Sequence, residues 1–211
     1  MTNIIAENLE HLKNLIRDAI QDRGIHCDLN HIDVRRVTSM RNLFADSKFN
    51  GDISAWDTSN VTNMEGMFIL STFNGDISSW NTCRVEQMQS MFKHASFNQD
   101  ISRWRTECVT NTTNMFSYSS FNGDISAWNM SCVKSMQEMF AHSKFNHPIA
   151  TWNTSNVQFM TGLFRDSPFN GDISAWDTSK VKNMSCMFKE SAFQGDISKW
   201  NVTAVQNMAS M

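Results

Sequence analysis

The chain has 211 residues and a formal net charge of −3, which gives no electrostatic reason to expect nucleic acid as a partner. Its apolar content is unusual in kind, with 15 Met, 15 Phe and 7 Trp but a single Tyr. No apolar run approaches the roughly 20 residues that a membrane-spanning helix needs, so we expect no role inside a membrane.

The first predicted element is a helix that caps the domain following it. Gly24 is placed to end this helix, and we assign residues 1–24 to the cap. Its apolar residues recur at helical spacing and form one stripe: Ile4, Ile5, Leu9, Leu12, Leu15, Ile16 and Ile20. The stripe predicts that this side of the helix packs on the first turn of the next domain.

From residue 25 onward, one 24-residue pattern recurs without insertion or deletion. Its clearest mark is the octapeptide FNGDISAW, which starts at Phe49, returns at residues 73, 121 and 169 with at most one change, and appears in altered form at residues 97, 145 and 193. Counting each copy from its Phe as position 1, we predict that residues 25–211 hold one degenerate, six complete and one partial repeat.

Each repeat carries its large apolar residues at fixed positions, so one copy cannot bury them alone. Val61, Met64, Met67 and Phe68 are spaced three, three and one, which predicts a short helical turn. Residues 53–57 follow an Asn-Gly-Asp turn and are predicted to be extended. The pattern therefore predicts an α/β repeat solenoid whose rungs each contain a short strand and a helical turn.

The repeat FNGDISAWDTSNVTNMEGMF and its copies resemble the roughly 25-residue repeat of bacterial surface proteins and lipoproteins, the BspA-like leucine-rich-repeat surface proteins. The resemblance covers residues 25–211. It implies a leucine-rich-repeat-like solenoid used for adhesion or protein binding, and it supplies no catalytic residues.

Sites for metals, cofactors or catalysis are not predicted. Asp recurs at position 4, and such a column could bind Ca²⁺, which would make the protein a Ca-stabilised rod. Asp in this turn more commonly accepts local backbone N–H groups, and each repeat offers one carboxylate there, so we predict a structural role. The His residues show no metal-ligand or catalytic spacing.

Five cysteines are present, an odd number with no CxxC motif, and we expect free thiols in a reducing compartment. Cys108 and Cys132 share a repeat position. They should lie one rung apart, at a distance that permits a disulfide.

The variable positions are the candidates for function. Position 22 changes from apolar through aromatic and imidazole to acidic along the chain, and the repeat at residues 97–120 departs most from the consensus. Aromatic and Arg side chains are favoured at protein interfaces. The predicted protein-binding patch consists of Leu70, His94, Arg103, Arg105, Tyr118 and His142.

These observations predict a non-enzymatic scaffold that binds another protein through a variable edge. Since no secretion signal precedes the repeats, we expect a cytoplasmic protein. A cell-surface adhesin whose signal is absent from this chain remains the alternative. We also expect a possible tail-to-tail homodimer through the last repeat, using Trp200, Val205, Met208 and Met211.

Overall fold

The computed structural model describes residues 4–211, and the regular elements in that range lie near its start. Strand β1 spans Ile4–Ile5, helix α1 spans Leu9–Arg23, and strand β2 spans Ile32–Asp33. The rest of this range is built from turns and single-residue β-bridges that repeat every 24 residues.

The N-terminal segment differs from the predicted helix at its start. Ile4 and Ile5 form β1, which pairs in parallel with β2, and the first predicted helical residues lie outside the described range. Helix α1 begins after Asn8, whose extended backbone and side-chain oxygen, accepting from His11 N–H at 3.0 Å, cap it. It ends at Gly24, which has a φ of 83°. Leu12 and Ile16 are its buried residues.

The repeats stack as rungs, each hydrogen-bonded to the next at the same repeat position. We number the rungs 1 to 8, beginning at residues 25, 49, 73, 97, 121, 145, 169 and 193. Parallel bridges join position 15 of every rung, in the series Ser39, Asn63, Gln87, Asn111, Ser135, Phe159, Asn183 and Asn207. The chain is therefore a repeat protein whose rungs are in strict 24-residue register.

The helical turn predicted within each rung is wrong. In rung 2, the N–H groups of Met67, Ile69 and Ser71 each bond the carbonyl three residues earlier, and Gly66 and Leu70 have φ values of 60° and 58°. A positive φ at the third residue is the mark of a type II β-turn and breaks an α-helix. The remaining N–H groups, at Met64, Gly66, Phe68 and Leu70, donate to rung 3 instead.

The strand predicted at residues 53–57 is also wrong, since the bridges lie at position 15 and, between rungs 1 and 2, at position 4, where Asp28 pairs with Asp52. This segment instead turns, with Trp56 N–H donating to Ile53 O at 3.2 Å. The turn predicted at the Asn-Gly-Asp sequence is absent as well, because Asn50 N–H and Asp52 N–H donate to Ile25 O and Cys27 O of rung 1.

Aromatic side chains form three stacks inside the rungs, and the stack of position-20 Phe rings is continuous. Those Phe rings follow one another at centroid distances from 5.5 Å to 6.1 Å, and four pairs of neighbouring Trp rings at position 8 lie 6.3 Å to 6.4 Å apart. The position-1 Phe rings form the third stack. The core positions predicted from the repeat are buried in the interior rungs, as Phe116, Phe121 and Trp128 show.

Polar side chains in the rungs tie each rung to its neighbour. Every Trp indole N–H donates to the position-5 carbonyl of the preceding rung, as Trp104 does to Ile77 at 3.1 Å. Thr at position 10 is buried, and its hydroxyl donates to the next rung, as Thr106 does to Asn129 O at 3.0 Å. Buried polar groups are thus satisfied between rungs, which favours one register over others.

Candidate binding edge

One column of exposed side chains stands on residues whose backbone is left-handed. Position 22 has φ values between 48° and 59° in every rung that reaches it: Asp46, Leu70, His94, Tyr118, His142, Asp166 and Glu190. Each backbone N–H of the first six donates to the next rung at 2.8 Å or 2.9 Å, so the ladder itself imposes this conformation. We call this column the position-22 edge.

Position 18 provides an internal comparison, because its backbone has the same conformation. Its φ values lie between 51° and 60°, and it carries mostly small or turn-favouring residues: Asn42, Gly66, Ser90, Asn114, Glu138, Gly162, Cys186 and Ser210. Gly and Asn adopt this region at the lowest cost. The position-22 edge carries Asp or His, which are also enriched in this region, at four places, and the unfavourable residues Leu70, Tyr118 and Glu190 at the other three. The backbone conformation alone does not explain Leu70 and Tyr118.

Three rings of the position-22 edge stack on one another. The Tyr118 ring lies 4.4 Å from that of His94 and 4.2 Å from that of His142, with interplanar angles of 9° and 12°. His142 Nδ1 lies 2.8 Å from Asp166 Oδ2 one rung further on. The rings therefore form a continuous aromatic strip on the surface.

The strip continues into an apolar side chain at one end and acidic side chains at the other. Leu70 is 53% exposed and Tyr118 is 45% exposed. Asp166 and Glu190 follow His142 and are exposed. Asp166 was not in the predicted patch, although its place in the same column was visible in the sequence.

The predicted patch divides into two groups in the structure. Leu70, His94, Tyr118 and His142 share the position-22 edge. Arg103 and Arg105 are exposed on either side of buried Trp104, and Arg105 pairs with Glu107. Among residues 4–211, no hydrogen bond, ion pair or ring contact joins the two arginines to the edge. The structure thus defines one contiguous edge and a separate pair of basic side chains.

The Asp column at position 4 is occupied by local hydrogen bonds. Asp100 Oδ1 accepts from Ser102 N–H at 2.8 Å, and this bond holds the pKa of Asp100 below its ordinary value. Asp52, Asp124, Asp172 and Asp196 make the same bond and have pKa values lowered for the same reason. These contacts account for the recurrence of Asp by turn geometry.

The Asn column at position 2 forms a side-chain ladder between rungs. Asn98 N–H donates to Asn74 Oδ1 at 2.8 Å, and Asn122 N–H donates to Asn98 Oδ1 at 2.8 Å. The ladder continues to Gln194. Like the Asp turns, this column is part of the framework.

Within residues 4–211, no group of three or more metal-ligating side chains is present. All five cysteines are free, Cys27 is buried, and its burial raises the pKa of its thiol.

No helix in the described part of the chain is long and apolar enough to cross a membrane.

The four residues predicted to form a homodimer differ in exposure. Trp200 is buried, Val205 and Met211 pack partly against the core, and Met208 is 43% exposed. The tail-to-tail dimer stays a prediction.

Comparison with known proteins identifies one family. The family model described as Mycoplasma protein of unknown function, DUF285, matches three overlapping stretches, residues 11–123, 94–168 and 117–211. No curated protein and no solved structure matches the chain. The overlap of the three stretches agrees with the repeats seen in the structure, and the finer likeness to BspA-like proteins is not shown by this match.

Proposed function

Because the chain belongs to the family described as Mycoplasma protein of unknown function, DUF285, we propose its function from the rungs themselves: a non-enzymatic scaffold that binds another protein through the position-22 edge. A cytoplasmic location is part of this proposal. The resemblance of the repeats to those of leucine-rich-repeat surface proteins supports the protein-binding role alone.

The observation that carries the proposal is the choice of side chains on a left-handed backbone. A non-glycine residue in this region costs on the order of 1 kcal/mol, and Leu70, His94, Tyr118 and His142 all adopt it. Position 18 has the same backbone and carries Gly or Asn, which tolerate it best, in four of its eight rungs. Large exposed side chains on a backbone conformation that disfavours them favour a role in binding over a role in stabilising the fold.

The chemistry of the edge supports a protein partner. Tyr and Leu side chains supply apolar contact area, and the stack restrains the three rings before a partner arrives, which reduces the entropy that binding must overcome. Asp166, held against His142, adds a hydrogen-bonding group at the end of the strip. The edge therefore combines aromatic and apolar contact area with acidic side chains beside it, and protein interfaces contain both kinds of group.

The test is capture of a partner from the native cell by the wild-type chain and by a Leu70→Ala/Tyr118→Ala variant. We expect the wild-type chain to retain one stoichiometric protein and the variant to lose at least about tenfold in affinity, since interface hot spots each contribute about 2 kcal/mol or more. Affinity for the captured protein is then measured by titration calorimetry.

Phe159→Asn is the matched control. Phe159 is 37% exposed at position 15, where Asn63, Asn111, Asn183 and Asn207 stand in other rungs. This change removes an exposed aromatic ring away from the edge and should leave capture intact. Equal capture by the Leu70→Ala/Tyr118→Ala variant and the control would show that the edge is not the binding surface.

The two arginines are tested separately, with an Arg103→Ala/Arg105→Ala variant. This pair has no contact with the position-22 edge among the described residues. Capture by the double variant therefore shows whether the interface extends beyond the edge to Arg103 and Arg105. Loss of capture there would enlarge the interface to the six residues of the predicted patch.

A further inference from the structure

Two exposed cysteines occupy the same position on adjacent rungs. Cys108 lies at position 12 of rung 4 and Cys132 at position 12 of rung 5, and both are exposed and free. None of the structural roles described above uses either thiol. Their placement puts two thiols one rung apart on the surface.

Side chains at position 12 of neighbouring rungs are within bonding reach of each other elsewhere in the stack. Arg84 Nη1 donates to Asn60 Oδ1 at 2.9 Å, and Lys180 Nζ donates to Asn156 Oδ1 at 2.6 Å. Both pairs are separated by one rung, as Cys108 and Cys132 are. Position 12 therefore directs its side chains along the stack toward the equivalent residue.

The backbones of rungs 4 and 5 are tied together on both sides of the two cysteines. Thr106 Oγ1 donates to Asn129 O at 3.0 Å before them, and Lys134 N–H donates to Thr110 O at 2.9 Å after them. Adjacent paired backbones lie about 4.8 Å apart, which falls within the range of Cα separations that a disulfide bridges. A backbone separation of this size is compatible with a disulfide between the two rungs.

The other cysteines lack such a neighbour. Cys83 and Cys186 occupy positions 11 and 18, and Cys27 is buried at position 3. No adjacent rung has a cysteine at any of these positions. Cys108 and Cys132 are the one facing pair of the five.

We propose that Cys108 and Cys132 form a thiol–disulfide site that cross-links rungs 4 and 5 under oxidising conditions. The oxidant is a low-molecular-weight disulfide. One cysteine thiolate attacks it and releases one small thiol, leaving a mixed disulfide. The second cysteine thiolate then attacks the mixed disulfide and releases the second small thiol. The protein thus loses two protons and two electrons, and the small disulfide gains them.

The experiment equilibrates the purified full chain in mixtures of reduced and oxidised glutathione, then alkylates the remaining thiols and digests with trypsin. The sequence has no Lys or Arg from residue 106 to residue 133, so both cysteines remain on the peptide 106–134. We expect this peptide to lose two hydrogens and to resist alkylation as the oxidised fraction rises. Chymotrypsin, which cuts within it, should leave two fragments joined by the bond.

Cys83 and Cys186 are the controls within the same sample. Both are partly exposed, and they should be alkylated or carry glutathione at ratios where the pair is closed. A Cys132→Ser chain should convert Cys108 to the same behaviour. The proposal is wrong if Cys108 and Cys132 are alkylated to the same extent as Cys83 at every glutathione ratio, or if they appear only as glutathione adducts.

Closing the pair should also stabilise the stack. A disulfide that closes a loop of this length restricts the unfolded chain, and the oxidised protein should unfold roughly 5–10 °C higher than the reduced one. The Cys132→Ser chain should show no such rise with the same oxidant. An equal shift in both chains would mean that oxidation acts elsewhere.

Discussion

Replacing Phe116 with alanine is expected to lower the free energy of unfolding by about 3–5 kcal/mol. Phe116 is fully buried in rung 4, and its ring lies 4.3 Å from Phe121, 5.7 Å from Phe92 and 5.9 Å from Phe140. Its loss opens a cavity that rigid stacked rings on both sides cannot fill. Since small proteins are stable by about 5–15 kcal/mol, much of the stability would be lost.

The measurement for Phe116→Ala is denaturant unfolding at 25 °C, followed by fluorescence of the buried tryptophans. Tyr118→Ala is the matched control, because it removes a ring from the same rung but at the exposed edge. It should cost about 1–2 kcal/mol, because it removes two exposed ring-stacking contacts, those with His94 and His142. Similar losses in both variants would contradict a core made of the three aromatic stacks.

Deleting a single residue from the series of position-15 bridges is expected to lower the stability of the fold more than deleting a whole rung. Removal of residues 121–144 joins two copies at the same phase, so Phe145 takes the place of Phe121 and every contact between rungs can re-form. The shortened chain should fold cooperatively, because the stability of stacked repeats is close to a sum over rungs and their interfaces.

Deletion of Ser135 alone has the opposite consequence. Ser135 bridges Asn111 on one side and Phe159 on the other. Without it, Met136 and the residues after it shift by one, which turns core side chains toward solvent. We expect this variant to lose several kcal/mol, on the scale of large core deletions, or to fail to fold.

Circular dichroism during heating compares the two deletions. A Ser135 deletion that melts as high as wild type would contradict a strict 24-residue register between rungs. So would a whole-rung deletion that is unfolded while the Ser135 deletion is folded. Gel filtration of both chains excludes aggregation as the cause of a difference.

The period and the core positions could be predicted from the sequence because burial requires the same side chain at the same point of every rung. Phe49, Ile53, Trp56 and Val61 are all buried as the repeat implies. A fixed 24-residue spacing without insertions leaves one way of stacking equivalent residues. The ladder of inter-rung bonds then follows from that register.

The local backbone could not be predicted in the same way. Val61, Met64, Met67 and Phe68 point inward from consecutive β-turns, and their spacing imitates that of a helix. Gly66 and its counterpart Gly162 carried a signal of positive φ at position 18. Position 22 carried a weaker signal, because Asp and His at four of its places are enriched at positive φ but Leu70, Tyr118 and Glu190 are not.

The sequence predicted which residues form the candidate site but not how they contact one another. Variation along position 22 identified its residues, since that can be read from the repeats alone. That His94, Tyr118 and His142 stack, and that His142 meets Asp166, depends on the spacing between rungs and on the left-handed backbone. Arg103 and Arg105 vary too, but the sequence did not show that their contacts lie apart from the edge.

The free energy of unfolding of a Leu70→Gly chain separates a binding role of the position-22 edge from a structural one. The claim is that the position-22 edge displays its side chains for a partner and does not hold the stack together. Glycine relieves the left-handed strain at Leu70, of about 1 kcal/mol or more, and this gain offsets glycine's greater freedom when unfolded and the loss of a half-exposed side chain. We expect the Leu70→Gly chain to have a free energy of unfolding within about 1 kcal/mol of wild type. A loss of more than about 2 kcal/mol, as for a buried leucine, would show that Leu70 serves the fold and would contradict the claim.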